Sequence, residues 1–196
     1  GYISYANCGL PYYIGGVIED PEDLTLQTPE SFFSRFRIHM KVHHEVTAIH
    51  PDSKTVSVKN LETGEIFEES YDKLLLSPGA KPVWPNLPGM NSDKLFTLRT
   101  VEDTFRIKEF VDQQRPKSAV MVGGGFIGLE VAENLRELGM EVTIVQRPKQ
   151  LMNPFDADMA SFIHSEVRKH GVKLALGYSV EGFAEKNNGV EVLLKD

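Results

Sequence analysis

Cysteine is almost missing from this chain: Cys8 is the one cysteine among 196 residues. A single thiol excludes a disulfide within the chain and a metal cluster built on several thiolates. The six histidines show no metal-ligand spacing, and we interpret them as strand and surface residues, so we expect no metal site.

Long apolar runs and an excess of positive charge are missing as well. No run approaches the roughly 18 apolar residues of a membrane span, and the formal net charge is −7. Because nucleic-acid binding depends on clustered lysine and arginine, we expect no nucleic-acid partner. Because no apolar run is long enough for a membrane span, we expect no membrane partner. We recognise no secretion signal, which favours a cytoplasmic location. The chain opens on Gly1 rather than on methionine, and we expect it to be a fragment.

What is present is an ordinary globular composition, with 41% hydrophobic residues, enough for a real core. The early part of the chain predicts a short helix over 9–16, with Pro11 in its first turn and glycines at its end. Thr28 and Pro29 predict the start of a second helix. The apolar run at 73–77 predicts a buried parallel strand. Between the second helix and this apolar run, the sequence predicts three strands of a β-meander, at 38–49, 54–60 and 66–71.

The segment 81–90 holds three prolines, which indicates a stiff connection and a domain boundary. After it, Thr100 predicts a helix start. Strands and helices then alternate, which predicts a doubly wound α/β fold with a parallel sheet. The predicted elements are strand 118–122, helix 126–138, strand 141–145, helix 156–170, strand 172–176 and a hairpin around Asn188 and Gly189.

The run Gly123-Gly124-Gly125-Phe126-Ile127-Gly128 lies between a predicted strand and a predicted helix. In that context the first glycine permits a tight turn, Gly125 lets backbone approach a pyrophosphate, and Gly128 lets helix and strand pack closely. The helix N-terminus offers free N–H groups to phosphates. The motif therefore predicts a nicotinamide-dinucleotide site; the alternative is a glycine turn that binds nothing.

The residue that ends the second strand of such a unit reads the ribose. A carboxylate there favours NADH, because it accepts from the 2′-hydroxyl and repels a 2′-phosphate. This chain has Gln146 in that place, followed by Arg147 and Lys149. The pattern favours NADPH and leaves NADH possible; the alternative is that both cations are solvated loop charges.

Cys8 lies just before a predicted helix, among small and polar residues. A thiolate in that place gains from the positive end of the helix dipole. The alternative is a small buried hydrophobe, the usual role of a lone cysteine. The residues alone leave both readings open.

The segment Ser4–Gly16, "SYANCGLPYYIGG", resembles the active-site segment of coenzyme A-disulfide reductases. These enzymes belong to the single-cysteine branch of the pyridine nucleotide–disulfide oxidoreductases. The resemblance continues through "LQTPESF", "ESYDKLLLSPGAKP", "FTLRT" and "VGGGFIGLEVAENL". It implies a three-layer FAD/NAD(P)-binding fold, a homodimer, and two partial domains: residues 1–80 from the FAD domain and 81–196 from a truncated NAD(P) domain.

The resemblance also implies roles for individual residues. Cys8 would be the redox nucleophile, with Ser4 and Asn7 on coenzyme A. The family can place a lysine after Arg35 for a coenzyme A phosphate; because Phe36 stands there, Arg35 or Arg37 would substitute. Glu130 would lie near the nicotinamide and flavin. FAD would contact Ser77, Pro78, Gly79, Ala80, Arg99 and the Val46 backbone, and the dinucleotide would contact Ile127, Gln146 and Phe155. The glycine motif itself adds Gly124 and Phe126 to the expected dinucleotide contacts, and the cation pattern adds Arg147.

The implied activity passes electrons from NADPH through FAD to coenzyme A disulfide by way of Cys8. One alternative is polysulfide or persulfide reduction by the same thiol. Another is an NADH oxidase or peroxidase in which Cys8 cycles through a sulfenic acid. A third, of a different class, is a dinucleotide-binding module without catalysis.

Overall fold

The computed structural model describes residues 1–186 and 189–195. A 3₁₀ turn at Asn7–Gly9 precedes the first helix. The helices of the described residues are α1 (Leu10–Gly15), α2 (Pro29–Phe36), α3 (Val101–Gln114), α4 (Phe126–Glu137) and α5 (Ala157–Lys169). The strands are β1 (Ser4–Tyr5), β2 (Thr25–Gln27), β3 (His44–His50), β4 (Thr55–Asn60), β5 (Ile66–Ser70), β6 (Ser118–Val122), β7 (Glu141–Gln146), β8 (Lys173–Leu176), β9 (Ser179–Lys186) and β10 (Gly189–Lys195).

The chain divides into two compact units. The first unit holds residues 1–5 and 25–81, and the second unit holds residues 6–24 and 82–196. The segment 6–24 belongs with the second unit because α1 packs against α3 and α4. The assignment of residues 1–80 to an FAD domain and of residues 81–196 to an NAD(P) domain stays a prediction.

The first unit is built on the antiparallel meander β3–β4–β5. Alternation along β4 buries Val56 and Val58, and Gly64 takes a φ of 78° in the turn that follows. Helix α2 begins at a capping box in which Thr28 and Ser31 exchange side-chain and backbone hydrogen bonds. Strands β1 and β2 form a separate antiparallel pair.

The prediction of a buried parallel strand at 73–77 is wrong. Within the described residues no strand pairs with this segment, and the Leu75 side chain is 88% exposed. A strand buried on both faces needs neighbouring strands to take up its backbone hydrogen bonds. The apolar run by itself does not supply those neighbours.

The second unit contains a parallel sheet in the order β6–β7–β8. Its core joins α1, α4 and the sheet through Ile14, Val131, Val142 and Ile144. Helix α1 comes so close to α4 that a Cβ on Gly15 would overlap the Asn134 side chain. A mixed α/β fold with one parallel sheet and several antiparallel sheets confirms the predicted fold class.

Strands β9 and β10 form an antiparallel hairpin, as predicted, with Gly189 opposite Lys186. Asn188, which we expected in its turn, lies outside the described residues. The proline-rich segment reaches this hairpin through a hydrogen bond from the Phe183 N–H to the Pro88 carbonyl. No helix in the described ranges is both long and apolar enough to cross a membrane.

Candidate dinucleotide and thiol sites

The glycine turn between β6 and α4 leaves space for a ligand. Gly123 has a φ of 115°, a conformation that side chains rarely adopt, and its N–H donates to the Val145 carbonyl at 2.9 Å. Gly125 is the N-cap residue of α4 and makes no side-chain hydrogen bond. No capping side chain therefore accepts from the N–H groups of the first turn. A Cβ on Gly125 would meet nothing within 4 Å. The backbone is therefore open to an approaching phosphate.

The other two glycines serve the packing of the turn itself. A Cβ on Gly128 would overlap the backbone carbonyl oxygen of Gly123, which cannot move without moving the turn. A Cβ on Gly124 would overlap the side chain of Leu151. The motif predicts three roles, and each belongs to a different glycine. Gly123 makes the tight turn, Gly125 leaves open space for a ligand, and Gly128 allows close packing against the backbone.

Gln146 is tied to the glycine turn. Its side-chain Oε1 accepts a hydrogen bond from the Gly124 N–H at 2.9 Å, and its backbone carbonyl accepts from the Gly177 N–H at 2.8 Å. Arg147 and Lys149 are exposed. The structure thus brings Gln146 to the motif, with two exposed cations directly after it.

Two phenyl rings stand beside the start of α4. Phe126 is 62% exposed, and its ring meets that of Phe155 edge to face with centroids 6.4 Å apart. Ile127 is also exposed. These apolar groups at the mouth of the turn could pack against the flat rings of a dinucleotide.

The β7–α5 loop, residues 147–156, holds a histidine contact that we did not predict. The Leu151 N–H donates to His164 Nε2 at 2.9 Å. We had interpreted the histidines as strand and surface residues, but His164 is half-buried on α5. Burial lowers the pKa of His164, and the Arg168 guanidinium lowers it further. The available sequence signal was the helical spacing of four residues between His164 and Ala160, a residue that the structure buries.

The thiol of Cys8 is exposed in the 3₁₀ turn that precedes α1. Beside it, Asn7 Oδ1 accepts a hydrogen bond from Arg99 Nη1 at 3.0 Å. The Arg99 backbone N–H in turn donates to Asp103 Oδ2, part of the capping box of α3. The start of α3 therefore holds the arginine that orients the side chain next to the thiol.

Glu130 and Cys8 both affect the pKa of the Tyr12 hydroxyl. The Glu133 carboxylate raises the pKa of the Tyr12 hydroxyl most, followed by burial, the Glu130 carboxylate and Cys8. Tyr12 was not among the predicted site residues. It lies in the polar segment that carries Cys8, and that position was the available signal.

The remaining predicted site residues lie in the first unit. Ser4 pairs with Gln27 in the β1–β2 sheet. The Arg35 guanidinium lies 5.1 Å from the centroid of the Phe36 ring, on an exposed face of α2. Val46 in β3 is 55% exposed. The segment 77–80 is exposed, and Gly79 has a φ of 71° with open space around it.

The whole chain, residues 1–196, matches the family described as pyridine nucleotide-disulphide oxidoreductase. The chain therefore belongs to that family. It is similar to the coenzyme A disulfide reductase of Staphylococcus aureus (strain MRSA252), with 42% identity over 193 residues, 98% of this chain and 42% of that protein. The predicted resemblance is confirmed, and the chain spans less than half the length of this relative.

Solved structures show the same fold. Reduced CoADR-RHD of Bacillus anthracis matches with a TM-score of 0.93 and 48% identity, over 99% of this chain and 35% of that one. An engineered water-forming NADPH oxidase bound to NADPH matches at 0.88 and 34%, over 97% and 42%. A NAD-dependent persulfide reductase from A. fulgidus matches at 0.90 and 30%, over 98% and 36%.

Proposed function

We propose that this chain carries the dinucleotide site and the redox thiol of a flavin-dependent reductase whose substrate is coenzyme A disulfide. The observation that carries the proposal is that one compact unit holds both an exposed lone thiol, Cys8, and an unobstructed glycine turn at Gly125. Similarity to coenzyme A disulfide reductases supports the choice of substrate.

The residues at the glycine turn fit a nicotinamide dinucleotide. Uncapped N–H groups at the start of α4 would hold the pyrophosphate, and Phe126 and Phe155 would pack against its rings. Exposed backbone around Gly79 fits a role in holding FAD, which the family resemblance assigns to residues 77–80. Bound together, the two cofactors supply a hydride and then an electron pair for disulfide reduction.

Cys8 carries the bond exchange with the substrate. Its thiolate attacks one sulfur of coenzyme A disulfide, forms a Cys8–S–S–CoA bond and releases one coenzyme A thiolate. Two electrons from the reduced enzyme and one proton then break that bond, releasing the second coenzyme A thiol and restoring the Cys8 thiolate. Asn7, which the Arg99 guanidinium orients, would contact the coenzyme A moiety.

We infer NADPH as the preferred reductant. Gln146 brings no negative charge to the turn, and the exposed Arg147 follows it. In the engineered NADPH oxidase, the substitutions include an aspartate replaced by alanine and two new arginines. That change has the same sense as the pattern here, which lacks the carboxylate and has a cation beside it.

Persulfide reduction is the second candidate, because a persulfide reductase shares the fold at a TM-score of 0.90. Oxygen or peroxide reduction is the third, given the water-forming oxidase. Steady-state kcat/KM of the intact protein with coenzyme A disulfide, polysulfide, hydrogen peroxide and oxygen separates them. We expect coenzyme A disulfide to give the highest value, and a higher value for another acceptor would overturn the proposed substrate. Purified intact protein without flavin absorbance would leave only a dinucleotide-binding module.

A further inference from the structure

The β7–α5 loop is joined to the glycine turn by backbone and side chain. The Met152 N–H donates to the Gly124 carbonyl at 2.8 Å. The Leu151 side chain is fully buried and lies where a Cβ of Gly124 would be. The Gly124 N–H also donates to the Gln146 side chain at the end of β7. Both backbone groups of this glycine are therefore held, one by β7 and the other by the loop.

The loop itself has a strained backbone at this contact. Met152 has a φ of 48°, in the left-handed region that residues other than glycine rarely occupy. Such a conformation persists only where neighbouring bonds hold it in place. On the other side of the loop the bond from the Leu151 N–H to His164 Nε2 supplies a hold, at 2.9 Å.

The rim of the turn depends on the same loop. The Phe155 N–H donates to the Met152 carbonyl at 2.8 Å, and its ring meets Phe126 at the start of α4. A shift of Leu151 and Met152 would therefore move both the Gly124 carbonyl and one of the two phenyl rings.

We propose that His164 is a positioning residue for the dinucleotide site, holding the β7–α5 loop against the glycine turn through the unprotonated Nε2 that receives the Leu151 N–H. The inference rests on the proposed dinucleotide function of that turn. His164 acts through the loop and touches no ligand itself.

The contact is sensitive to pH, because a protonated Nε2 carries a hydrogen and can no longer accept. Burial, then Arg168 on the same helix, lowers the pKa of His164, and among the described residues no carboxylate from the loop, β7 or α4 counters that effect. The folded pKa lies below the unfolded pKa, so the contact is present above the unfolded value near 6.5. It is lost as the pH falls through the folded value.

The test follows dinucleotide binding in the intact protein as the pH is lowered stepwise from 7.5 to below the folded pKa of His164, which an NMR titration of its imidazole locates, with acid-stable NADP⁺ as the probe. His164→Gln keeps an acceptor oxygen at every pH, and His164→Leu removes the acceptor. Relative to His164→Gln, we expect the wild-type Kd to rise about two- to tenfold once the pH is below that pKa, the range that one hydrogen bond spans. His164→Leu should bind more weakly than His164→Gln by the same factor throughout the series. Titration of the 2′-phosphate is common to all variants and cancels in the ratio.

His170→Gln is the matched control, because His170 directly follows α5, is exposed and contacts Glu166 rather than the loop. This variant should follow the wild type. Amide exchange of Leu151, corrected for its intrinsic rate, reports the bond directly and should quicken in His164→Leu. A slow Leu151 amide with normal binding in His164→Leu would overturn the inference alone. A wild type that binds no dinucleotide would overturn the proposed function and this inference with it.

Discussion

At Gly125 and Gly128, two glycines of one motif differ in what a side chain would meet. The Gly125 position is open and has a φ of −88°, which any residue adopts, whereas a side chain on Gly128 overlaps backbone. Gly125→Val should therefore leave the fold intact and block the pyrophosphate with a branched side chain. We expect normal thermal unfolding together with loss of flavin reduction by NADPH in stopped flow.

Gly128→Ala is the contrasting variant and should lower the unfolding temperature, because the Gly123 carbonyl has to move. Flavin reduction at the normal rate in Gly125→Val would show that the dinucleotide binds elsewhere.

Gln146 is the residue that we expect to set the choice between NADPH and NADH. In Gln146→Glu, one carboxylate oxygen can still accept from the Gly124 N–H, while the added charge repels a 2′-phosphate and accepts from a 2′-hydroxyl. A charge-assisted contact is worth about 1.5–3 kcal/mol when desolvated, and exposure of Arg147 reduces it. We expect kcat/KM to shift toward NADH by about tenfold.

The control for this change is Gln113→Glu, which adds the same charge at an exposed place on α3. It should leave the ratio of kcat/KM values for the two cofactors as in the wild type. A wild type that prefers NADH, or an unchanged ratio in Gln146→Glu, would contradict the role of this position.

At the scale of elements, the N-terminus of α3 connects helix capping with the thiol segment. Asp103 Oδ2 accepts from the N–H groups of Arg99 and Thr100, at 3.0 Å each. Asp103→Ala removes the acceptor of both hydrogen bonds and a favourable charge in the first turn, at a cost of about 1–2 kcal/mol. We expect a lower midpoint in urea denaturation. We also expect faster alkylation of Cys8, because Arg99 holds the neighbouring Asn7.

Asp112→Ala is the matched control on the same helix. Asp112 lies in the last turn, where a carboxylate opposes the helix dipole, and its ion pair with Lys108 is exposed on the Asp112 side. Removing it should change the free energy of unfolding by only a few tenths of a kcal/mol. Equal effects of the two substitutions would show that the capping box does not stabilise this part of the chain.

At the scale of the whole molecule, the proposed function divides into two separable half-reactions, reduction of flavin by the dinucleotide and reduction of the disulfide substrate. Cys8→Ser in the intact protein should keep the flavin spectrum and its reduction by NADPH, because the glycine turn is unchanged. Disulfide reduction should fall to the uncatalysed rate, because a serine hydroxyl cannot form the mixed disulfide. Near-normal turnover of this variant would rule out the proposed mechanism.

Local signals in the sequence were enough to predict much of the fold. Thr28 and Thr100 begin helices because each side chain accepts from a backbone N–H three residues later, a contact that needs no other part of the chain. Gly64 turns a hairpin by its own φ. The apolar run at 73–77 does not predict a buried strand correctly, because whether a strand is buried depends on neighbours that lie elsewhere in the chain.

The sequence by itself determined the family, the order of strands and helices in the second unit, and the glycine turn with its open N-terminus, because these follow from residue spacing over short distances. Only the tertiary structure decided that Gln146 accepts from Gly124, that Arg99 reaches Asn7 and that His164 holds the β7–α5 loop. Each of these contacts joins residues 13 or more positions apart. The approach of such groups is set by the packing of helices on the sheet and is not encoded in any local pattern.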